Sequence, residues 1–212
     1  MSGFLSEIEI VHAILHGDIR VMPLLSADQI GPTIDLRLGT EFIIRRMDSI
    51  PYFDPVQFHR YHEDDPEQLM RFYEIVKRVD PVVPFWLHPN QFAIGCTLEY
   101  VHLPRELGAQ LEGKSSWARE GLNVHSTAGL IMPGHSGIIV FELHNVGTHP
   151  IALYTGTRVA QLLPYRLDRP SPRGYAEGEG KYARYVAASI GRPWDDWEFR
   201  VLSDRMYSRE GG

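Results

Sequence analysis

Short apolar segments separated by turn residues fill the chain from Phe85 to about residue 165, and this pattern restricts the fold more than any other feature. Within each segment, apolar and polar residues alternate with the two-residue period of a half-buried strand, and turns recur roughly every 8 to 12 residues. Such spacing is typical of an antiparallel sandwich or barrel in which helices are minor. We predict strands at residues 85–88, 91–101, 108–112, 123–128, 137–145, 150–154 and 157–165.

An amphipathic helix is predicted between residues 4 and 16, with Ser6 as its N-cap and Gly17 as its stop. His12 and His16 lie four residues apart on this helix. No acidic or cysteine partner completes a metal-ligand set, so we expect a solvated helix face there. The apolar residues at helical spacing are Leu5, Ile8, Val11, Ile14 and Leu15.

Two alternating segments, residues 33–39 and 41–46, follow this helix and flank a Gly-Thr turn. The pattern predicts a β-hairpin, because short paired strands are commonly joined by such turns. Asp35 and Arg37 would share one face of the first strand and pair with each other, which is a structural contact and not a catalytic one.

Prolines interrupt residues 47–84, which we interpret as an insertion that packs on the barrel or on a neighbouring subunit. The segment contains one helical patch, residues 67–77. His59 and His62 lie beside three acidic residues at positions 63–65, a grouping that could attract a cation. We favour a hydrated loop.

Residues 166–212 are predicted to form a C-terminal lid and tail. The lid contains a charged, glycine-rich segment, residues 174–181, which has no apolar periodicity and should be mobile. The tail carries Trp194, Trp197 and Phe199, and we expect these rings to anchor it on the body of the protein or on a partner.

Composition and charge limit the class of protein. Apolar residues make up 43% and charged residues 23% of the 212 residues, which fits one globular domain over residues 1–212. The net charge of −6 argues against nucleic-acid binding through a basic surface. No segment approaches the roughly 20 apolar residues that span a membrane. Cys96 is the only cysteine, which fits a buried strand thiol and a cytoplasmic setting.

A dense group of hydrogen-bond donors follows Gly113. Lys114, Ser115, Ser116 and Arg119 supply two cations and two hydroxyls within six residues, which suits a polyanion such as a nucleotide triphosphate. Ser115 and Arg119 are four apart and would share one helical face. The alternative is a plain helix cap for the serines and a surface ion pair for Arg119.

Glu142 lies in an apolar strand pattern, residues 138–143. A carboxylate is costly to bury in such a strand unless it is paired or its pKa is raised for proton transfer. Glu142 is therefore the best candidate for a general base.

Taken together, these segments resemble the dCTP deaminase branch of the trimeric dUTPase-like family. The matching segments follow the family's order from about residue 5 to about residue 185; they are residues 34–39, 87–89, 91–99, 103–104, 113–116, 121–122, 133–134, 140–142, 156–161 and 181–182. The resemblance implies a mainly β fold, a distorted antiparallel β-barrel or jelly roll of the dUTPase-like type with a few short helices. It also implies a homotrimer with active sites between subunits.

The resemblance further implies hydrolytic deamination of dCTP to dUTP and ammonia without zinc. Most cytidine deaminases hold zinc with a Pro-Cys-x-x-Cys set, which a chain with a single cysteine cannot build. In the family, the glutamate matched by Glu142 is the base and proton shuttle, while Ser115 would hold the water and Arg119 would orient the glutamate. Mg²⁺ is expected with the triphosphate, held mainly by phosphates and water, with no protein metal ligands.

The resemblance also assigns nucleotide contacts. Lys114, which stands where the family more often has arginine, and Ser116 would face phosphate. Ala128 would pack against the sugar, although a core alanine is the plain alternative. Tyr175 and Lys181 match the lid's tyrosine and phosphate-binding lysine. The full set of expected nucleotide-binding residues is Lys114, Ser115, Ser116, Arg119, Ala128, Met132, Val140, Phe141, Glu142, Tyr175 and Lys181.

One departure from the family bears on the product. Met132 stands ten residues before Glu142, where much of the family has an aspartate that serves the sugar and, in members that also hydrolyse dUTP, the attacking water. A thioether cannot accept that proton. We therefore expect dUTP and little dUMP. A dUTPase-type pyrophosphatase and a non-catalytic nucleotide-sensing or partner-binding protein remain the alternatives.

Overall fold

The computed structural model describes residues 3–46, 52–64, 70–177 and 181–207, with the backbone alone for residues 61–64. The chain divides into two compact units. The main unit consists of Met1–Phe42 and Lys77–Ser189, and the second unit of Ile43–Val76 and Ile190–Gly212. The second unit thus combines most of the predicted insertion with the end of the predicted tail.

The described elements are mostly short strands, as the alternating pattern predicts. In chain order they are β1 (Gly3–Phe4), α1 (Glu7–Leu15), β2 (Arg20–Met22), β3 (Ile34–Arg37), β4 (Glu41–Arg45), α2 (Pro55–Asp64), β5 (Tyr73–Lys77), β6 (Phe85–Leu87), β7 (Phe92–His102), β8 (Leu107–Gly113), α3 (Ser115–Arg119), β9 (Leu122–Asn123), β10 (Leu130–Ile131), β11 (Ser136–Asn145), β12 (Ile151–Leu153), β13 (Arg158–Arg166) and α4 (Trp197–Tyr207). Two 3-10 turns, Ala27–Gln29 and Pro193–Asp195, complete the set.

The main unit is built on two antiparallel sheets. One has the order β1-β13-β8-β10, with β3 also paired to β13, and the other contains β4-β7-β11-β9, with β2 also paired to β7. A separate pair joins β6 to β12. The sheets meet where Leu38 bridges to Thr97, and fully buried side chains such as Leu36 and Phe141 form the core. This mainly β, jelly-roll-like arrangement with short helices confirms the predicted fold class, in an open and distorted form and not as a closed barrel.

Six of the seven predicted strands agree with the structure to within about two residues, but the strand at residues 123–128 is wrong. β9 ends at Asn123, and an exposed loop takes over at Ser126. Val124 still accepts from the Glu142 amide, but the Ser126 amide donates to the Glu142 carboxylate at 2.8 Å instead of to a neighbouring strand.

The predicted hairpin of residues 33–46 is also wrong, because β3 pairs with β13 whereas β4 lies in the other sheet. Leu38 donates its amide to Thr157 in the first sheet, and Gly39 donates to Cys96 on β7 in the second. A Cβ at Gly39 would lie 2.9 Å from the Cys96 sulfur, so only glycine permits this close crossing between sheets. Burial raises the pKa of the Cys96 thiol to about 11, as expected for a buried strand thiol.

Helix α1 has the predicted position but a different buried face. Ser6 and Glu9 form a reciprocal capping box at its start, which fixes the N-terminus. Ile10 and Ala13 are buried, whereas Ile8 and Leu15 are 71% and 76% exposed. Strand β1 pairs with β13 just before the helix, and the Leu5 amide donates to the Pro164 carbonyl at 2.9 Å, so the start of the helix is attached to this sheet.

The elements of the second unit differ from those predicted for the insertion. Helix α2 (Pro55–Asp64) occupies the region around His59 for which a loop was predicted. The end of the predicted helical patch at residues 67–77 is instead strand β5 (Tyr73–Lys77). His59 is only 8% exposed, so the hydrated-loop interpretation is wrong for this residue. Residues 65–69 and the side chains of 61–64, including His62, lie outside the described residues.

Trp194 anchors the tail within the second unit, as predicted. Its fully buried indole packs against the Phe53 and Phe58 rings, and the Arg45 guanidinium lies 5.3 Å from the Phe53 ring centre. Trp197 is 71% exposed, so it is not an anchor in this unit. No helix in the described ranges is long and apolar enough to cross a membrane.

Candidate active site

The predicted donors lie on helix α3, immediately after β8. Lys114 is the residue before the helix; its amide donates to the Val159 carbonyl, and its carbonyl accepts from Trp117 and Ala118. The Trp117 indole N–H donates to the Arg158 carbonyl at 3.0 Å, which ties the helix to β13. Ser115 and Ser116 are exposed, and no side chain caps the helix, so the helix-cap alternative is wrong.

The ammonium group of Lys114 is held by Asp35 of β3. The Lys114 Nζ lies 2.7 Å from Asp35 Oδ1, and the side chains are 31% and 11% exposed. Arg158 Nη1 lies 3.4 Å from the second oxygen of Asp35 and 3.3 Å from Asp28. The predicted pair of Asp35 with Arg37 is therefore wrong, since Asp35 joins two cations from other elements.

Arg37 instead enters a buried polar cluster with Glu99 and Gln29. The Glu99 side chain has no exposed surface and accepts from the Arg37 amide at 2.9 Å and from Gln29 Nε2 at 3.0 Å. The Arg37 guanidinium donates to Gln29 Oε1 and lies 3.7 Å from Glu99. Burial raises the pKa of Glu99 despite these donors.

Glu99 lies in a β-bulge of strand β7, on the buried face of that strand. Between the pairs Ile138–Tyr100 and Val140–Cys96, β7 holds three residues opposite one on β11. The Thr97 hydroxyl accepts from the Ile139 amide at 2.9 Å and donates to the Glu99 carbonyl at 2.6 Å. The bulge thus satisfies the backbone group that the register shift would leave unpaired.

Glu142 lies half-buried on the outer face of β11. Its neighbours Phe141 and Leu143 are fully buried on the opposite face, so Phe141 can meet a nucleotide only through its main chain. The Glu142 carboxylate accepts a hydrogen bond from the Ser126 amide, and the Glu142 amide donates to the Val124 carbonyl. The same face of β11 presents the partly exposed Val140.

The loop that follows Val124 carries the predicted sugar contact. Ala128 is exposed, so the alternative of a core alanine is wrong. The donors after β8 border this loop, because a Cβ at Gly113 would lie 3.3 Å from a Val124 methyl. We call Gly113–Arg119 with Asp35 and Arg158 the donor region, and Val140–Glu142 with loop 124–128 the carboxylate region.

Arg119 does not contact Glu142 within one chain. Its guanidinium makes no hydrogen bond or ion pair with the described residues, so the surface ion pair considered for it is not formed there. It borders a surface cavity of about 490 Å³. The cavity is lined by residues 117–121 and 147–152.

The lid folds back on the turn that precedes β11. Tyr175 donates its amide to the Pro133 carbonyl at 2.9 Å, and its ring stacks on His135 with ring centres 6.3 Å apart. Gly134 has φ +75°, and a Cβ there would collide with Gly174. The described part of the segment predicted to be mobile is thus hydrogen-bonded. Residues 178–180 lie outside the described residues, and Lys181 follows them as a half-buried side chain.

Met132 is 51% exposed in the same turn, and burial lowers the pKa of His135 beside it. Among the described residues, no three His, Cys, Asp or Glu side chains lie together as a metal site. Independence from zinc stays a prediction.

Comparison with known proteins matches this geometry to one family. A family model described as dCTP deaminase-like matches residues 4–167. The chain belongs to the dCTP deaminase-like family. A protein of this family from Methanobrevibacter smithii, named dCTP deaminase, dUMP-forming, is 36% identical over 201 residues, which cover 93% of this chain and 99% of that one. One from Halorubrum lacusprofundi, named dCTP deaminase, is 36% identical over 97% of this chain and 98% of its own.

A solved structure supports the fold of this family member. The 2'-deoxycytidine 5'-triphosphate deaminase from Agrobacterium tumefaciens aligns with a TM-score of 0.58 at 20% identity, over 78% of this chain. This chain spans about half, 48%, of that solved chain. At such identity the likeness concerns the fold alone.

Sequence reasoning missed Glu99 and gave Asp35 the wrong partner. Glu99 shares the buried face of β7 with Thr97 and Val101, but the alternating pattern alone does not reveal that Gln29 and Arg37 donate to its carboxylate. The Asp35–Lys114 pair joins residues 79 positions apart, which no local pattern reveals.

Proposed function

We propose that this protein catalyses the hydrolytic deamination of dCTP, with Glu142 as general base. The observation that carries the proposal is the position of Glu142, a half-buried carboxylate held by the Ser126 amide at the edge of the exposed loop that includes Ala128. Relatives that match nearly the whole chain carry dCTP deaminase in their names, which supports the substrate.

Deamination needs a nucleophilic water and a route for two protons. Glu142 takes a proton from the water as its oxygen bonds to C4 of the cytosine, and passes that proton to N3. The new hydroxyl then gives its proton, through Glu142, to the amine. The C4–N4 bond breaks, ammonia leaves, and C4 becomes a carbonyl of uracil. In this proposal Ser115 holds the water and Arg119 orients the carboxylate.

The proposed assembly is a homotrimer in which Ser115 and Arg119 of one subunit complete the Glu142 site of another. The resemblance to trimeric dUTPase-like proteins motivates this arrangement. Large apolar side chains exposed on the main unit, such as Phe4, Trp86 and Leu130 at 62%, 53% and 65%, support burial against other subunits. A cytoplasmic location belongs to the same proposal.

The triphosphate would lie on the donor region. Lys114 and Ser116 face the phosphates, which carry Mg²⁺ with them, because this ion retains water and phosphate ligands. Ala128 packs against the sugar, where a larger side chain would collide. Tyr175 and Lys181 contact the nucleotide from the lid.

The proposed product is dUTP, because Met132 offers no base to activate water near the α-phosphate. A second candidate is the formation of dUMP, which the name of the Methanobrevibacter smithii relative favours. A pyrophosphatase that acts on dUTP alone is the remaining enzymatic alternative.

Measuring ammonia and pyrophosphate from dCTP and from dUTP separates these functions. We expect ammonia from dCTP and no pyrophosphate from either nucleotide. Pyrophosphate without ammonia would assign the protein to the dUTPase-type reaction, and the absence of both products would leave only nucleotide binding.

A further inference from the structure

The pairing of Asp35 with Lys114 has no role in the proton transfers proposed above. Asp35 is 8% exposed, and its two oxygens lie 2.7 Å from Lys114 Nζ and 3.4 Å from Arg158 Nη1. The carboxylate therefore keeps two cations close together, although they would otherwise repel each other. One of these cations, Lys114, is the residue immediately before α3, where the predicted phosphate donors begin.

A second layer holds Asp35 in place. Gln29 Nε2 donates to the Asp35 main-chain carbonyl at 2.8 Å and also to Glu99, and Glu99 accepts from the amide of Arg37. These bonds are buried, so they fix the backbone on both sides of Leu36. A buried network of this kind positions a side chain better than a solvated one does.

We propose that Asp35 is a positioning residue for triphosphate binding, acting through Lys114. The inference rests on the proposed function in one respect, the contact of Lys114 with phosphate. A lysine on a flexible four-carbon stem loses rotamer freedom when it binds, and a fixed carboxylate removes that loss in advance. The ammonium group has three donors, so it binds Asp35 with one and phosphate with another.

Positioning and competition predict opposite results when Asp35 is neutralised. If the carboxylate competed with phosphate for Lys114, its removal would tighten binding. Positioning predicts weaker binding, because the charged hydrogen bond that orients the ammonium is lost. Lys114 is only 31% exposed, which keeps this hydrogen bond largely out of solvent and favours positioning.

The test compares Asp35→Asn, Lys114→Met and the double variant in binding of inorganic tripolyphosphate and in dCTP turnover. We expect Asp35→Asn to weaken tripolyphosphate binding and raise KM for dCTP roughly tenfold, with kcat within about twofold, since a charged hydrogen bond is lost. In the Lys114→Met background, Asp35→Asn should add nothing. Asp28→Asn is the matched control, because Asp28 contacts the same Arg158 but is 67% exposed, and binding should change less than about twofold.

The outcomes distinguish the inference from the proposed function. A further loss of tripolyphosphate affinity in the double variant, or tighter binding by Asp35→Asn, would overturn the positioning role, as would a wild-type protein that binds no tripolyphosphate. Binding that follows the expected pattern in a protein that releases no ammonia would overturn only the proposed function. If Asp35→Asn does not fold, Asp35→Glu serves instead: its longer carboxylate displaces the ammonium and should weaken binding about threefold, and unchanged affinity would overturn the inference.

Discussion

The donor region and the carboxylate region border each other at Val124, but they are built in opposite ways. In the donor region, Lys114 is held by the buried Asp35, and Asp35 is held by a second buried layer around Glu99. In the carboxylate region, Glu142 makes one side-chain hydrogen bond to the described residues, from Ser126 on an exposed loop. The comparison indicates that the region proposed to bind phosphate is held by buried contacts before substrate arrives, whereas the region proposed to carry out the reaction is left open.

The largest effect is expected from a substitution that changes the carboxylate region alone. Glu142→Gln keeps the shape of the side chain but removes the base, so we expect kcat to fall at least about a thousandfold. Binding of dCTP should stay within about threefold, because the donor region is untouched. Ammonia release and dCTP titration measure the two effects. Glu74→Gln, an exposed carboxylate of the second unit, is the control. Turnover by Glu142→Gln near the wild-type rate would remove Glu142 from its role.

A smaller loss is expected from the exposed end of α3. Arg119→Ala should reduce kcat/KM for dCTP by about a hundredfold, because the cation proposed to orient the Glu142 carboxylate is lost. Steady-state kinetics measure this effect, with Arg200→Ala, an exposed arginine of α4, as the control. An Arg119→Ala enzyme within about threefold of wild type would show that Glu142 needs no such partner.

The smallest effect concerns stability near the turn that leads into β11. His135 is 7% exposed and burial lowers its pKa, so the folded state binds its proton less readily than the unfolded chain. Its contribution is therefore fully present above the unfolded pKa of about 6.5 and is lost as pH falls further.

Thermal unfolding between pH 7 and pH 5 tests this sign. We expect His135→Gln to remove part of the acid destabilisation, seen as a smaller fall in the free energy of unfolding between pH 7 and pH 5. His149→Gln, at an exposed histidine, is the matched control. Equal acid sensitivity in the wild type and the His135 variant would contradict the assignment.

Local sequence patterns predicted the positions of the strands better than they predicted which strands pair. Period-two alternation located β7, β11 and β13, because a half-buried strand must alternate whatever it pairs with. The same alternation could not reveal that Leu38 and Gly39 cross from one sheet to the other, which depends on close packing against Cys96. The helix predicted at residues 67–77 is wrong at its end, Tyr73–Lys77, for a related reason: the strand pairing of β5 with β4 overrides local helix propensity there.

The residues proposed for the candidate site stay predictions, and their contacts in the structure could not be predicted from the sequence. Glu142, Ser115 and Arg119 are chemically distinctive at their positions, so their types and spacing make them candidates. The support beneath Lys114 comes from Asp35 and Glu99, which lie on different strands and are linked through Gln29. Such contacts are a property of the tertiary structure.

Isotope incorporation during dCTP turnover tests the central claim most directly. The protein is incubated with dCTP and Mg²⁺ in water enriched in oxygen-18, and the products are resolved by chromatography and weighed by mass spectrometry. Attack of water on C4 predicts dUTP with one labelled oxygen in the base, together with ammonia. Label in phosphate with an unchanged base, or dCTP that remains unaltered, would contradict deamination by Glu142.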